Sequence, residues 1–220
     1  AHPLATRAGL EILEAGGNAF DAAVTVAAVL GVVEPYGSGL GGGGFWLLHR
    51  AGDGRQVMID GRERAPLSAG RDMYLDAQGD VRAGASVNGP LAAAVPGQPA
   101  ALVHLAERYG RLPLAKTLEP AIRIAREGFA VDERFRRYLG MRLEEIRRWP
   151  ASREALLVDG GLPPEGHRLR RPDLARTMEA LAAGGLDGFY AGPVAQRLVD
   201  AVREAGGIWT REDLAAYRVE

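Results

Sequence analysis

The sequence predicts an α+β fold in which helices precede and follow a single β-hairpin. Three features carry that reading. Two helix-period segments end at glycines and at Glu34-Pro35; two short apolar runs then flank Asp53-Gly54; and from Pro99 onward apolar residues recur at helical spacing.

Pro3 to Ala15 places Leu4, Ala8 and Ile12 on one face and stops at Gly16-Gly17, a proline start and a glycine end. Asn18 is the expected N-cap of a second helix over Ala19–Val33, with Asp21 in its first turn to complement the helix dipole. That helix is small or apolar on nearly every side, so it should be buried between layers. Glu34-Pro35 ends it, because the residue before a proline avoids helical geometry.

Phe45–Arg50 and Gln56–Asp60 are the expected strands, joined by Ala51–Arg55 with the hairpin pair Asp53-Gly54 inside. Gly61 to Pro99 shows no sustained period and reads as a long, partly irregular connection of the kind that often carries function. Pro99–Tyr109 and Pro120–Glu127 read as helices with proline near the first turn, stopped by Gly110 and Gly128. Asp132 should cap a helix over Glu133–Arg148 that Pro150 closes, after which Ala151–Arg171 is rich in glycine and proline. Leu174, Met178 and Leu181 mark a helix over Asp173–Ala183; Val194, Leu198 and Val202 mark the next. Thr210 with Asp213 forms a capping-box pattern that opens a last short helix to about Tyr217.

The composition excludes several classes of function. At 220 residues with 47% hydrophobic content, the chain can bury a core. Its 27 basic and 28 acidic residues leave no electrostatic footprint for nucleic acid or an anionic membrane. The longest apolar run, Ala22–Val33, falls short of the roughly 20 residues that span a bilayer. Without cysteine there is no thiol nucleophile, thiolate metal site or disulfide. No secretory leader pattern is present, and Ala1 followed at once by helix spacing reads as a processed or trimmed start.

Between the second helix and the hairpin lies Val32–Phe45, in which six of fourteen residues are glycine. Gly37-Ser38-Gly39-Leu40-Gly41-Gly42 satisfies the G-x-G-x-x-G string of dinucleotide binding. That fingerprint requires a strand before the glycines and a helix after them, and here the order is reversed. A Walker loop would need a lysine. The commoner reading is that the glycines let the loop pack tightly beside another segment. His2, His49, His104 and His167 lack metal-ligand spacing, no G-x-S-x-G elbow is present, and Ala1 has neither hydroxyl nor thiol.

Asp60-Gly61-Arg62-Glu63-Arg64-Ala65-Pro66 follows the second strand, where a rigid sheet hands the chain to a loop. Strand ends aim side chains well, and a guanidinium there can grip a carboxylate through two parallel hydrogen bonds. The pattern alone leaves another reading open: Arg62 and Arg64 as solvated charges, or Arg62 paired only with Glu63 or Asp60.

His2-Pro3-Leu4-Ala5-Thr6, Gly16-Gly17-Asn18-Ala19, Asp21-Ala22-Ala23, Val33-Glu34-Pro35, Ser38-Gly39 and Gly41-Gly42-Gly43-Gly44-Phe45 closely resemble the start of the gamma-glutamyltransferase family. The resemblance continues through Asp60–Pro66, Val95-Pro96-Gly97, Tyr109-Gly110, Pro120-Ala121-Ile122 and Gly128-Phe129 to Phe189-Tyr190-Ala191-Gly192, Gly206-Gly207 and Asp213-Leu214-Ala215-Ala216-Tyr217. It spans essentially the whole chain and is weakest between Arg134 and Arg171.

The resemblance implies an N-terminal nucleophile hydrolase with a four-layer αββα sandwich. Residues 1–220 would form a partial large-subunit domain with no separate second domain. In that family a precursor cleaves itself, and the new terminal threonine of the small subunit attacks the gamma-glutamyl amide of glutathione and related compounds. Water, an amino acid or a peptide amine then resolves the glutamyl-enzyme. Arg62 matches the arginine that binds the substrate's alpha-carboxylate, and no residue of this chain matches a catalytic role. A threonine whose own alpha-amine serves as base needs no cofactor and no metal.

The expected partners are therefore a gamma-glutamyl substrate, its acceptor and the small subunit of the same precursor, with no nucleic acid and no membrane. Many bacterial members of that family are periplasmic or secreted, which the resemblance favours here, with a cytoplasmic location left open. The chain stops at Glu220, short of the family's nucleophile, so it is expected to be inactive alone and to leave apolar surface uncovered. The alternatives are a related acylase cleaving glutaryl-type amides such as cephalosporin side chains, a nucleotide-binding module, and a non-catalytic interaction protein.

Overall fold

The computed structural model describes residues 2–220; Ala1, read above as a processed or trimmed start, lies outside the described residues. In chain order the elements are α1 (Pro3–Glu14), α2 (Ala19–Val33), β1 (Gly44–Arg50), β2 (Arg55–Gly61), a 3-10 turn (Pro90–Ala92), α3 (Gln98–Tyr109), α4 (Leu114–Glu127), β3 (Phe129–Ala130), α5 (Glu133–Gly140), α6 (Leu143–Arg148), α7 (Pro150–Leu156), β4 (Arg168–Leu169), α8 (Pro172–Tyr190), α9 (Gly192–Glu204) and α10 (Arg211–Ala216). They form two compact units, one from the chain up to Gly39 with Leu105–Ala182, the other from Leu40–His104 with Ala183–Glu220.

In the first unit α2 is the central helix, as its apolar surface requires. Val24, Thr25, Ala28, Val29, Val32 and Val33 are all buried. Asn18 caps it by accepting the N–H groups of Phe20 and Asp21, and Asp21 returns the favour by accepting that of Asn18 at 2.8 Å. Asp21 does more than complement a dipole. Fully buried, it also accepts the N–H groups of Arg111 (3.0 Å) and Leu112 (3.3 Å), which ties the α3–α4 turn to the start of α2. Farther along, Thr25 Oγ1 donates to the carbonyl of Thr117 in α4 at 2.7 Å.

Three boundaries within this unit differ from the sequence reading. α4 begins at Leu114, so Pro120 lies inside the helix rather than near its first turn. The proline forfeits the bond to the Lys116 carbonyl, yet Thr117, Leu118, Pro120, Ala121 and Ala125 are buried on one face, and that packing carries the helix through. The expected helix over Glu133–Arg148 divides at Met141 and Arg142, directly after Gly140, the residue with most backbone entropy to lose in a helix. Asp132 does cap its first half, accepting the Phe135 N–H at 2.7 Å. Pro150 opens α7 instead of only closing what precedes it, because its fixed φ suits a first helical position. β3 and β4 pair through Phe129↔Leu169 and Ala130↔Arg168, two residues each, too short to show a strand period.

In the second unit β1 and β2 form the expected antiparallel hairpin, in the register Phe45↔Asp60 and Leu47↔Met58, with Gly54 at φ +68° in the turn. One face buries Leu48 and Ile59; the other leaves Phe45, Leu47 and Met58 exposed, Leu47 to 81%. Asp60 and Glu220 exchange both main-chain hydrogen bonds, at 2.6 and 3.0 Å, which sets residue 220 beside the end of β2. Thr210 and Asp213 form the expected capping box at α10, and Asp213 also accepts the Leu67 N–H at 2.5 Å. α8 runs beyond the expected Ala183 but is interrupted by Gly185, at φ 54° and ψ −136°. No helix among the described residues is long and apolar enough to cross a membrane.

Candidate functional site

The candidate site is built around Arg62, the first residue after β2. Asp60 Oδ1 accepts the Arg62 N–H at 2.8 Å, a local turn that bends the chain off the end of the strand. The guanidinium lies 5.9 Å from the ring centroid of Phe45, whose register partner across the hairpin is Asp60. Arg62 also lines a cleft of about 490 Å³, together with Gly41, Glu63, Ala92, Ala93, Ala94 and Trp209. Trp209 is buried and fixed by donating its indole N–H to the Ala93 carbonyl at 3.0 Å, so that wall is rigid.

The two arginines of the motif part company here. Arg64 is engaged, ion-paired with Glu220 and lying over the ring of Tyr217 at 5.7 Å. Arg62 is exposed and lines the cleft, and among the described residues no carboxylate lies within ion-pair distance of it. Pairing with Glu63 or Asp60 alone, left open by the sequence, does not occur; Asp60 is occupied through the Arg62 main chain instead.

Segments far apart in the chain converge on the backbone of Arg62. A Cβ on Gly43 would lie 2.8 Å from the Arg62 Cα, and one on Gly97 would lie 2.7 Å from the Arg62 carbonyl oxygen and 2.1 Å from that of Gly61. Only glycine permits either approach. The Gly42 carbonyl accepts the N–H groups of Gly97 (3.0 Å) and Gln98 (2.9 Å), joining the glycine-rich loop to the start of α3. The hydroxyl of Tyr217 donates to the Arg62 carbonyl at 2.7 Å. Burial pushes the Tyr217 hydroxyl up to about 12, against the opposing pull of Arg64, so it stays a donor at neutral pH.

The glycine-rich loop thus packs tightly at Gly43, whereas a Cβ on Gly37, Gly39 or Gly41 would meet nothing within 4 Å. It follows α2 and precedes β1, the reverse of the order a dinucleotide fingerprint requires. The cleft lining offers no hydroxyl, thiol or amine nucleophile. It offers one guanidinium fork, suited to a carboxylate. His2, one of the four dispersed histidines, caps α1 by accepting the Leu4 N–H at 3.2 Å, and burial lowers its pKa. Among the described residues no group of three His, Asp or Glu side chains could hold a metal ion. Sequence reading missed the roles of Tyr217 and Gly97, whose partners lie too far along the chain to leave a local signal.

A family profile described as Gamma-glutamyltranspeptidase matches residues 5–220. The glutathione hydrolase proenzyme of Pseudomonas sp. (strain A14) is 41% identical over 219 residues, covering 99% of this chain and 38% of the relative. The crystal structure of Helicobacter pylori gamma-glutamyltranspeptidase superposes with a TM-score of 0.96 at 39% identity, over all of this chain and 63% of that one. Cephalosporin acylase from Bacillus halodurans follows the same course with a TM-score of 0.86 at 34% identity, over all of this chain and 41% of that one. The chain therefore spans less than two thirds of each of these relatives, and little more than a third of the proenzyme.

Proposed function

From the premise that this chain belongs to the gamma-glutamyltranspeptidase family, which its match over residues 5–220 establishes, we propose that it is the Arg62-bearing part of the large subunit of a gamma-glutamyl transferase and glutathione hydrolase. It has the N-terminal nucleophile hydrolase fold of its structural relatives. On this reading all 220 residues belong to one large-subunit domain and act together with the small subunit of the same precursor.

In the proposed reaction Arg62 receives the alpha-carboxylate of the gamma-glutamyl donor through paired, charge-assisted hydrogen bonds. A threonine at the small subunit's new N-terminus attacks the gamma-carbonyl and passes its proton to its own alpha-amine. The C–N bond breaks, the leaving amine takes that proton, and a glutamyl ester remains. Water then gives glutamate, or an amino-acid or peptide amine gives a new gamma-glutamyl amide, and the threonine regains its proton. No cofactor, metal, nucleic acid or membrane enters this scheme.

One observation supports the reading above the others: at a rigid strand end, an exposed arginine with no carboxylate within ion-pair distance among the described residues lines a cleft. Arg62→Ala in the processed enzyme tests it. Losing a desolvated charge pair costs on the order of 2 to 5 kcal/mol, so KM for a gamma-glutamyl anilide should rise about 30-fold or more. Arg62→Lys should recover only part of that, since an ammonium cannot form the fork. An unchanged KM in Arg62→Ala would remove the assignment.

The similarity to a cephalosporin acylase favours a second reading. A glutaryl amide carries the same carboxylate without the alpha-amine, and Arg62 could hold either. Relative rates on glutathione and on a glutaryl amide separate the two activities.

A further inference from the structure

Resting on the assignment of Arg62 as the carboxylate ligand, we propose that Tyr217 is a positioning residue for substrate, its hydroxyl fixing the direction in which the Arg62 side chain enters the cleft. Both polar main-chain groups of Arg62 are tied by side chains. Asp60 Oδ1 holds its N–H at 2.8 Å and the Tyr217 hydroxyl holds its carbonyl at 2.7 Å, while among the described residues no carboxylate lies within ion-pair distance of the guanidinium.

A group that positions another must itself be immobile, and Tyr217 is. It is 5% exposed. Its ring stacks on that of Tyr190, with centroids 5.5 Å apart and 9° between the planes. Tyr190 is anchored in turn: its hydroxyl donates to the Pro96 carbonyl at 2.8 Å and accepts the Ala100 N–H at 3.2 Å. Arg64, tethered by Glu220, also lies over the Tyr217 ring. Gly97 completes the seat, because a Cβ there would come within 2.2 Å of the Tyr217 hydroxyl.

Arg62 is long, so small errors at its base grow at its tip. A tilt of about 10° at Cα moves the guanidinium by roughly 1 Å, a displacement that can cost up to about 100-fold in an aligned site. Asp60 bonds only the N–H side of Arg62; Tyr217 supplies the bond on its carbonyl side, where Gly97 also packs. The pair of tyrosines therefore carries the rigidity of the 96–100 turn to the residue that meets substrate.

The test is a double-mutant cycle in the processed enzyme with a gamma-glutamyl anilide as donor. Tyr217→Phe keeps the ring and its stack and deletes only the hydroxyl. It should raise KM about five- to tenfold by letting the Arg62 guanidinium shift, with kcat within about twofold of the parent. In an Arg62→Ala background the same change should move KM by less than about 1.5-fold, since nothing is left to position. With a 4-aminobutanoyl anilide, which keeps the amine and lacks the carboxylate, Tyr217→Phe should match the parent.

A KM rise of equal size with and without Arg62, or on both donors, would assign Tyr217 to the fold and overturn the proposal. So would an unchanged KM in Tyr217→Phe when Arg62→Ala raises it. If Arg62→Ala itself leaves KM unchanged, the carboxylate assignment fails first, and that single-variant arm tells the two failures apart.

Discussion

Gly43 sits so close to Arg62 that a methyl group on the glycine would lie 2.8 Å from the arginine Cα and 2.5 Å from the Gly61 carbonyl oxygen. The crowded atoms are backbone, which cannot swing aside as a flexible side chain would. Gly43→Ala should therefore destabilise the protein by about 1 to 3 kcal/mol and raise KM for donor by shifting Arg62. Gly37→Ala, where the added carbon meets nothing within 4 Å, should be close to neutral. Urea melts and donor saturation curves of both variants check the contrast.

Asp21→Ala should be the costliest substitution in the first unit. Its buried carboxylate accepts the N–H groups of Asn18, Arg111 and Leu112, and all three would lose that partner in a partly buried place. At about 1 to 3 kcal/mol for each unsatisfied group, a loss of at least about 3 kcal/mol is expected from chemical denaturation. A loss under about 1 kcal/mol would show that water replaces the carboxylate freely.

How legible each element was depended on whether its causes lie close together in sequence. α2 was readable to the residue, because Asn18 starts it and Glu34-Pro35 stops it within the same short stretch. The start of α4 was not, because Pro120 signals a first turn locally while burial against α2 decides otherwise. The motif around Arg62 was legible as a strand end, and its resemblance to a known family named a role for it. The bond from Tyr217 was not legible, since it joins residues 155 apart and a tyrosine after α10 reads as ordinary core.

Alkaline pH should weaken the second unit through Tyr217. Its ionisation is pushed from the ordinary 10 up to about 12 by burial, so the folded chain holds the proton more tightly than the unfolded one. The stabilisation is whole below pH 10 and is lost as pH rises from 10 toward 12, where the unfolded chain ionises first. Tyr190, shifted in the same direction by burial, adds to the slope. Stability measured against pH should fall in that window, and less steeply in Tyr217→Phe; parallel curves would contradict the shift.

These 220 residues alone should turn over no gamma-glutamyl anilide. The cleft is lined by glycine, alanine, arginine, glutamate and tryptophan, none of which supplies an acyl-accepting hydroxyl, thiol or amine. Release of the aniline by the purified chain, abolished by Arg62→Ala, would mean that a nucleophile lies within it.

The most direct measurement is the preference, as a ratio of kcat/KM, for a gamma-glutamyl anilide over a 4-aminobutanoyl anilide, taken in the parent enzyme and in Arg62→Ala. If the guanidinium at the end of β2 binds the alpha-carboxylate, the parent prefers the carboxylate-bearing donor by about 30-fold or more, and the variant loses that preference. A preference that survives in Arg62→Ala would place the carboxylate elsewhere and contradict the account.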